Sequence, residues 1–216
     1  MRSRLLRVAL AGAVLAALLG RLARRHLYRV EVRGASMRPA LEPGDWLLLR
    51  RGAPSPDLLA SGEAFGLVVA ARSPCGRLLL KRLIGLPGES LRAGAAVQVN
   101  GRELDEPYAS GEAPPSSYRG VSRLGPDSLF LLGDRRDRST DSREFGPLEA
   151  AAVEGIVLAR YWPPRRIGRL HRPARRWSAT GSTAGNAAAG SRAGPPRGAA
   201  APVPPLARGS RIRYNR

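Results

Sequence analysis

The 216-residue chain reads as a mainly β domain, barrel- or sandwich-like, with one apolar helix ahead of it and a low-complexity tail behind. Three observations predict this. Short apolar runs, broken by Gly, Pro and Asp turns, fill the middle of the chain, as strands of an all-β domain do. One uncharged apolar run, Val8 to Gly20, stands near the start. The stretch from about Ser178 to Gly209 is rich in Ala, Gly, Pro and Ser and has hardly any large apolar residues, so it buries too little to offset ordering entropy.

The N-terminal run is flanked by Arg2, Arg4 and Arg7 before it and by Arg21, Arg24 and Arg25 after it. Its thirteen residues are short for a bilayer. A spanning helix needs about 20. Adding Leu5-Leu6, with Arg7 and Arg21 snorkelling, brings it to a marginal span. A cleaved leader, a buried core helix and an uncleaved anchor all compete for it. The Ala11-Gly12-Ala13 triplet lies too deep in the run for cleavage, and a helix apolar on all sides is unusual in a core at a chain end. The anchor is the reading taken, over residues 1–26. The charge flanks are balanced, so they set no orientation.

Leu27 to Val32 alternates apolar and polar residues, as a half-buried strand does. Asp45 to Leu49, Ala64 to Val69, Arg77 to Ile84, Ala96 to Val99, Asp127 to Leu132 and Gly155 to Tyr161 are further strand candidates. Pro87-Gly88 has the order a type II turn wants. Asn100-Gly101 is a two-residue hairpin signal. Leu58 to Ala60 and Leu148 to Glu154 read as short helical turns. The domain is expected to occupy residues 27–164, with a small inserted β region at about 93–126 and a basic tail over 165–216.

The net charge of +19 is uneven. Beyond Pro163 there are twelve arginines and no acid. Such a tail suits anionic lipids or other polyanions. With only Trp177 and Tyr214 as aromatics it is poorly made for stacking bases, so no specific nucleic acid is expected. Cys75, in a Ser-Pro-Cys-Gly turn, is the only cysteine, which excludes an internal disulfide and a cysteine metal cluster. The histidines, His26 and His171, lie outside the candidate strands, which argues against a Ser-His-Asp triad and a His-rich metal site. No phosphate-binding glycine loop precedes the lysine.

That lysine is singular. Of 36 basic residues, only Lys81 is not arginine, and it stands inside the apolar run Leu78 to Ile84. It is either a chance survivor or a required amine. Arginine never loses its proton in a protein, whereas a buried lysine does so readily.

Three segments decide between these. Ser36-Met37-x-Pro39, Lys81-Arg82-x-x-Gly85-x-Pro87-Gly88, and Gly133-Asp134-x-Arg136-Asp137-x-Ser139-x-Asp141-Ser142-Arg143 occur in this order. In order and spacing they resemble the three sequence boxes of type I signal peptidases, membrane-bound proteases with a Ser–Lys dyad. The resemblance runs from about Tyr28 to Pro164. Val99 to Tyr108 also resembles the family's second small β region.

By motif position the resemblance implies that Ser36 is the nucleophile, Lys81 its general base and Ser139 the hydroxyl that orients the lysine. It implies structural roles for Asp134 and Asp141, facing Arg82 and Arg143, and needs no cofactor or metal. Arg82 follows Lys81 in the strand and should leave the opposite face. The sequence departs from the pattern at Arg135 and Arg138, where asparagine is usual, at Glu89 for a common aspartate, and at Gly34, where part of the family has an oxyanion-binding hydroxyl.

The implied activity is removal of signal peptides with small residues at −3 and −1. The implied place is the cytoplasmic membrane, with the catalytic domain on the outer face of the bilayer. Two other functions use the same features. A self-cleaving regulator of the repressor type shares the dyad, but needs a DNA-binding helix-turn-helix where this chain has its apolar run. A basic polyanion binder without catalysis would use the tail alone.

Overall fold

The computed structural model describes residues 12, 14, 17, 20, 21, 25–113 and 122–178. The expected anchor over 1–26 falls largely outside these. Among the described residues no helix is long and apolar enough to cross a membrane. The low-complexity part of the tail also lies outside them.

Strand β1 (Leu27–Glu31) leads into a loop that returns as β2 (Trp46–Arg51). A one-turn helix, α1 (Pro56–Ala60), follows; Ser55 caps it by accepting from the Leu58 N–H, and Pro56 opens it. Then come β3 (Val68–Arg72) and β4 (Leu78–Gly85), whose residues are all buried. Strands β5 (Ser90–Ala93), β6 (Val97–Val99), β7 (Arg102–Glu103) and β8 (Ser122–Arg123) form the small region. The chain returns as β9 (Ser128–Leu132), α2 (Ser142–Phe145), β10 (Leu148–Glu149) and the long β11 (Val153–Trp162).

Seven strands make the main sheet in the order β1-β2-β11-β3-β4-β9-β10, all pairs antiparallel. The order is linear, so the sheet is open rather than a closed barrel. Register shifts interrupt β11 at three points, between Val153 and Gly155, Val157 and Ala159, and Arg160 and Trp162. Such bulges bend a strand and increase its twist. The second sheet has the order β7-β6-β5-β8. One apolar core joins it to the main sheet, through Leu91, Val97, Val99 and Leu104 against Leu83, Ile84, Phe130 and Leu131. Another core, with Val30, Met37, Leu41, Leu47 and Leu80, lies under the loop between β1 and β2.

The two strongest turn signals hold. Asn100 (φ 51°) and Gly101 (φ 77°) link β6 to β7, with Val99 opposite Arg102. Positive φ at both positions is the type I′ geometry that matches strand twist. Gly88 has φ 79°, and the Glu89 N–H donates to the Leu86 carbonyl at 3.2 Å. One strand reading and one helical-turn reading shift. Ala64 to Leu67 is a turn rather than the start of β3, and the helical turn expected over Leu148 to Glu154 is confined to a 3-10 turn, Ala150–Ala152, between β10 and β11.

The domain end expected at Pro164 leaves residues 165–178 in the tail. Residues 165–178 lie on the body of the protein. Arg166 pairs with Asp45 at 3.1 Å, Arg172 donates to the Phe65 carbonyl at 3.1 Å, and Arg175 pairs with Glu89. Trp177 packs on the core and forms a β-bridge with Leu104. The segment's lack of acids hides this, because its partners are carboxylates and carbonyls far away in sequence.

Candidate active site

Lys81 sits mid-strand on β4, opposite Val69 of β3. It is 2% exposed. Ser36 is half-buried on the turn after β1. That turn is fastened by the bond from the Leu41 N–H to the Met37 carbonyl at 2.9 Å, and Met37 itself is a buried anchor. Lys81 Nζ lies 2.8 Å from Ser36 Oγ. Forty-five positions apart in sequence, the two meet as a hydrogen-bonded pair between a buried lysine and a half-buried serine. Burial pushes the Lys81 amine down from 10.5 to about 8, with the positive charge of Arg143 adding to it and Asp141 and Asp134 opposing it.

The loop after β9 supports this pair. Its Arg135 N–H donates to the Ser36 carbonyl at 3.0 Å. Asp141, fully buried, accepts from the Gly133 N–H at 2.9 Å, from Arg143 Nε and Nη2 at 2.9 Å each, and from Ser139 Oγ at 2.6 Å. Burial alone would raise the Asp141 carboxyl, but the hydrogen bonds and charge of Arg143 outweigh it and hold it below the usual carboxylate range. Ser139 thus gives its proton to Asp141 and makes no direct bond to Lys81, the contact that the resemblance implies. A hydroxyl that has donated its one proton can only accept.

Arg82 leaves the opposite face from Lys81 and pairs with Asp134 through Nε at 2.7 Å and Nη2 at 2.6 Å. It also donates to the carbonyls of Gly66 at 2.8 Å and His171 at 3.4 Å. Asp134–Arg82 and Asp141–Arg143 are therefore buried fork-like pairs, one on each side of the loop.

Other supporting residues escape the sequence reading. Arg136 pairs in two bonds with Glu106, at 2.7 and 2.8 Å, and donates to the Gly133 carbonyl at 3.1 Å. The Tyr108 hydroxyl donates to Glu106 at 2.6 Å, and its ring lies 4.7 Å under the Arg82 guanidinium. Burial, with Glu106 beside it, pushes the Tyr108 phenol far above its usual range, so it stays a donor. The small β region is thereby tied to the loop that carries Ser139. Asp45, 1% exposed, takes two arginines, Arg160 at 3.2 Å and Arg166 at 3.1 Å. The only signal in the sequence was a carboxylate just after a Pro-Gly turn. Cys75 is exposed in its turn, away from these groups.

Comparisons with known proteins give the family. A family model described as signal peptidase, peptidase S26, matches residues 3–162. Signal peptidase I of Bacillus caldolyticus is 32% identical over 145 residues, covering 61% of this chain and 78% of that one. Signal peptidase I of Leptolyngbya laminosa is 38% identical over 95 residues, covering 44% of this chain and 46% of that one. This chain thus spans less than half the length of the Leptolyngbya relative. The crystal structure of a signal peptidase I from Enterococcus faecalis matches at 32% identity and a TM-score of 0.37, over 43% of this chain and 93% of that one. The family match covers most of the chain, including Ser36, Lys81 and the Ser139 loop, and the chain belongs to the signal peptidase family, peptidase S26.

Proposed function

We propose that this chain is a membrane-bound serine endopeptidase that removes signal peptides from secreted preproteins, with Ser36 as nucleophile and Lys81 as general base. The observation that carries the reading is the 2.8 Å pair between Ser36 Oγ and a buried Lys81 whose amine is held near 8. Serine attacks a carbonyl only when something takes its proton. A free lysine is neutral in roughly one molecule in three thousand at pH 7, whereas an amine titrating near 8 is neutral in about one in ten.

The neutral Lys81 amine accepts the Ser36 proton as Oγ attacks the scissile carbonyl. The Ser36 backbone N–H stabilises the developing oxyanion; Gly34 offers no side chain to help it. Protonated Lys81 then gives its proton to the leaving amine. Water attacks the acyl-enzyme with Lys81 again as base, and Ser36 is released. Ser139, its own proton held by Asp141, keeps only accepting capacity and does not contact the amine directly. Asp141 and Asp134 supply the charge that lets Arg143 and Arg82 stay buried.

The substrates are signal peptides with small residues at −3 and −1. The domain faces the outside of the cytoplasmic membrane, held by residues 1–26, and the basic tail binds anionic lipid headgroups. Family membership and the apolar run support this placement. A buried, hydrogen-bonded amine next to a serine argues against a polyanion binder without catalysis. The test is cleavage of a preprotein with an Ala-x-Ala site by the detergent-solubilised chain. Ser36→Ala and Lys81→Arg should each lower turnover by at least about a thousandfold, since the arginine keeps the charge and loses the base. Near wild-type turnover by Lys81→Arg would sink the dyad.

A further inference from the structure

We infer that Arg166, acting with Arg160 through Asp45, is a positioning residue for the loop that carries Ser36. This rests on the reading of Ser36 as the reacting group. Arg166 lies past the end of the stretch that the family model matches.

The Ser36 loop runs from Val32 to Asp45. At its base the Val32 N–H donates to the Asp45 carbonyl at 2.8 Å and the Gly44 N–H to the Val32 carbonyl at 2.7 Å. Asp45 closes the loop with its side chain too, because Oδ2 accepts from the Glu42 N–H at 2.9 Å. A carboxylate this buried is costly unless its charge is paired and its lone pairs are used. Two guanidiniums meet the need. Arg160 Nη1 donates to Oδ2 at 3.2 Å and Arg166 Nη1 to Oδ1 at 3.1 Å. Both also reach the Ala40 carbonyl inside the loop, Arg160 at 3.0 Å and Arg166 at 3.5 Å. The two arginines therefore hold the loop at its base and at a point four residues after Ser36.

Their own placement is rigid on one side and conditional on the other. Arg160 belongs to β11, in the middle of the main sheet. Arg166 ends a 3-10 turn, Pro164–Arg166, beyond the sheet. That turn is folded back on β11 by paired bonds between Arg160 and Gly168, at 2.8 and 3.0 Å, and by the Arg160 Nε bond to the Arg166 carbonyl. Removing the Arg166 side chain leaves Oδ1 of a buried carboxylate without its arginine and frees half of the clamp on Ala40. Arg160 and the sheet stay in place, so the loop loosens before the fold fails.

The test uses the full chain in detergent, with amide hydrogen exchange and cleavage of a short soluble peptide carrying an Ala-x-Ala site. In Arg166→Ala the amides of 36–45 should exchange at least about fivefold faster, while those of 128–132 keep their rate. Cleavage should lose about tenfold in kcat with little change in KM or in the midpoint of the pH profile, since a misplaced nucleophile slows chemistry without altering Lys81. Arg166→Lys, which keeps the charge and loses the fork, should recover part of both. Arg175→Ala, which breaks the ion pair with Glu89 at the other end of the same segment, should leave exchange over 36–45 unchanged. Unchanged exchange over 36–45 in Arg166→Ala, or an equal rise in Arg175→Ala, overturns the assignment. The exchange arm decides this even if the wild-type chain fails to cleave the peptide, a result that would instead remove the functional reading. If Arg166→Ala does not fold, Arg166→Lys decides, with faster exchange over 36–45 expected and wild-type exchange contradicting.

Discussion

Gly133 passes so close to Ser139 that no side chain fits between them. A Cβ at position 133 would stand 2.1 Å from Ser139 Oγ and 2.6 Å from the Ser36 carbonyl oxygen. The glycine is the point at which the loop after β9 is pressed against the Ser36 loop, and both of its backbone polar groups are taken, by Asp141 and by Arg136.

Gly133→Ala should therefore push Ser139 and Ser36 apart. The expected result is a loss of stability of about 1–3 kcal/mol, the usual cost of overpacking. Turnover should fall by more than tenfold at temperatures where the variant is folded, because displacements of about 1 Å at a reacting group cost rate steeply. Denaturant unfolding and peptide cleavage check the two parts. Wild-type values for both would mean that the contact is absent in solution.

Stability should depend on pH through Lys81. Its folded value, about 8, lies below the 10.5 of a free lysine. Between these the unfolded chain binds more protons than the folded one, so stability rises with pH across the window. The cost of holding the amine charged, about 3 kcal/mol, is full below pH 8 and gone above about 10.5. Lys81→Met removes it. The variant's advantage over wild type in denaturant unfolding should shrink by about 3 kcal/mol from pH 7 to 10.5. A difference that does not change with pH would contradict a buried amine.

Truncation separates the two parts of the basic C-terminal segment. A chain ending after Ser178 keeps the contacts of Arg166, Arg172, Arg175 and Trp177 and should cleave a short soluble peptide at the wild-type rate. A chain ending after Pro164 loses them all and should unfold at a lower denaturant concentration and cleave at least about tenfold more slowly. Equal behaviour of the two would return the domain boundary to Pro164.

Most of the fold is legible because its signals are local. The Asn100-Gly101 turn and the apolar run around Lys81 each carry their meaning within a few residues. The pairing of Ser36 with Lys81 is not local. It is legible only because the motif resemblance supplies it, since neither apolar pattern nor turn chemistry links two residues so far apart. What stays hidden is long-range polar closure. Nothing near Asp45 announces Arg160 and Arg166, and nothing near Glu106 announces Arg136. Each of these carboxylates reads as an ordinary surface acid until the fold buries it beside its arginine. The tail misleads for the same reason. Its arginines resemble those of a free polycation, and only the fold shows which ones find carbonyls and acids.

The central claim is that Lys81 is a buried amine able to act as a base near neutral pH, and this chain allows an unusually direct check. Lys81 is its only lysine, so a chain labelled with carbon-13 lysine gives one side-chain Cε resonance. Its titration in detergent by NMR should show a midpoint near 8, with the cleavage rate rising through the same midpoint. A midpoint close to 10.5, the value of a solvated lysine, would contradict the account.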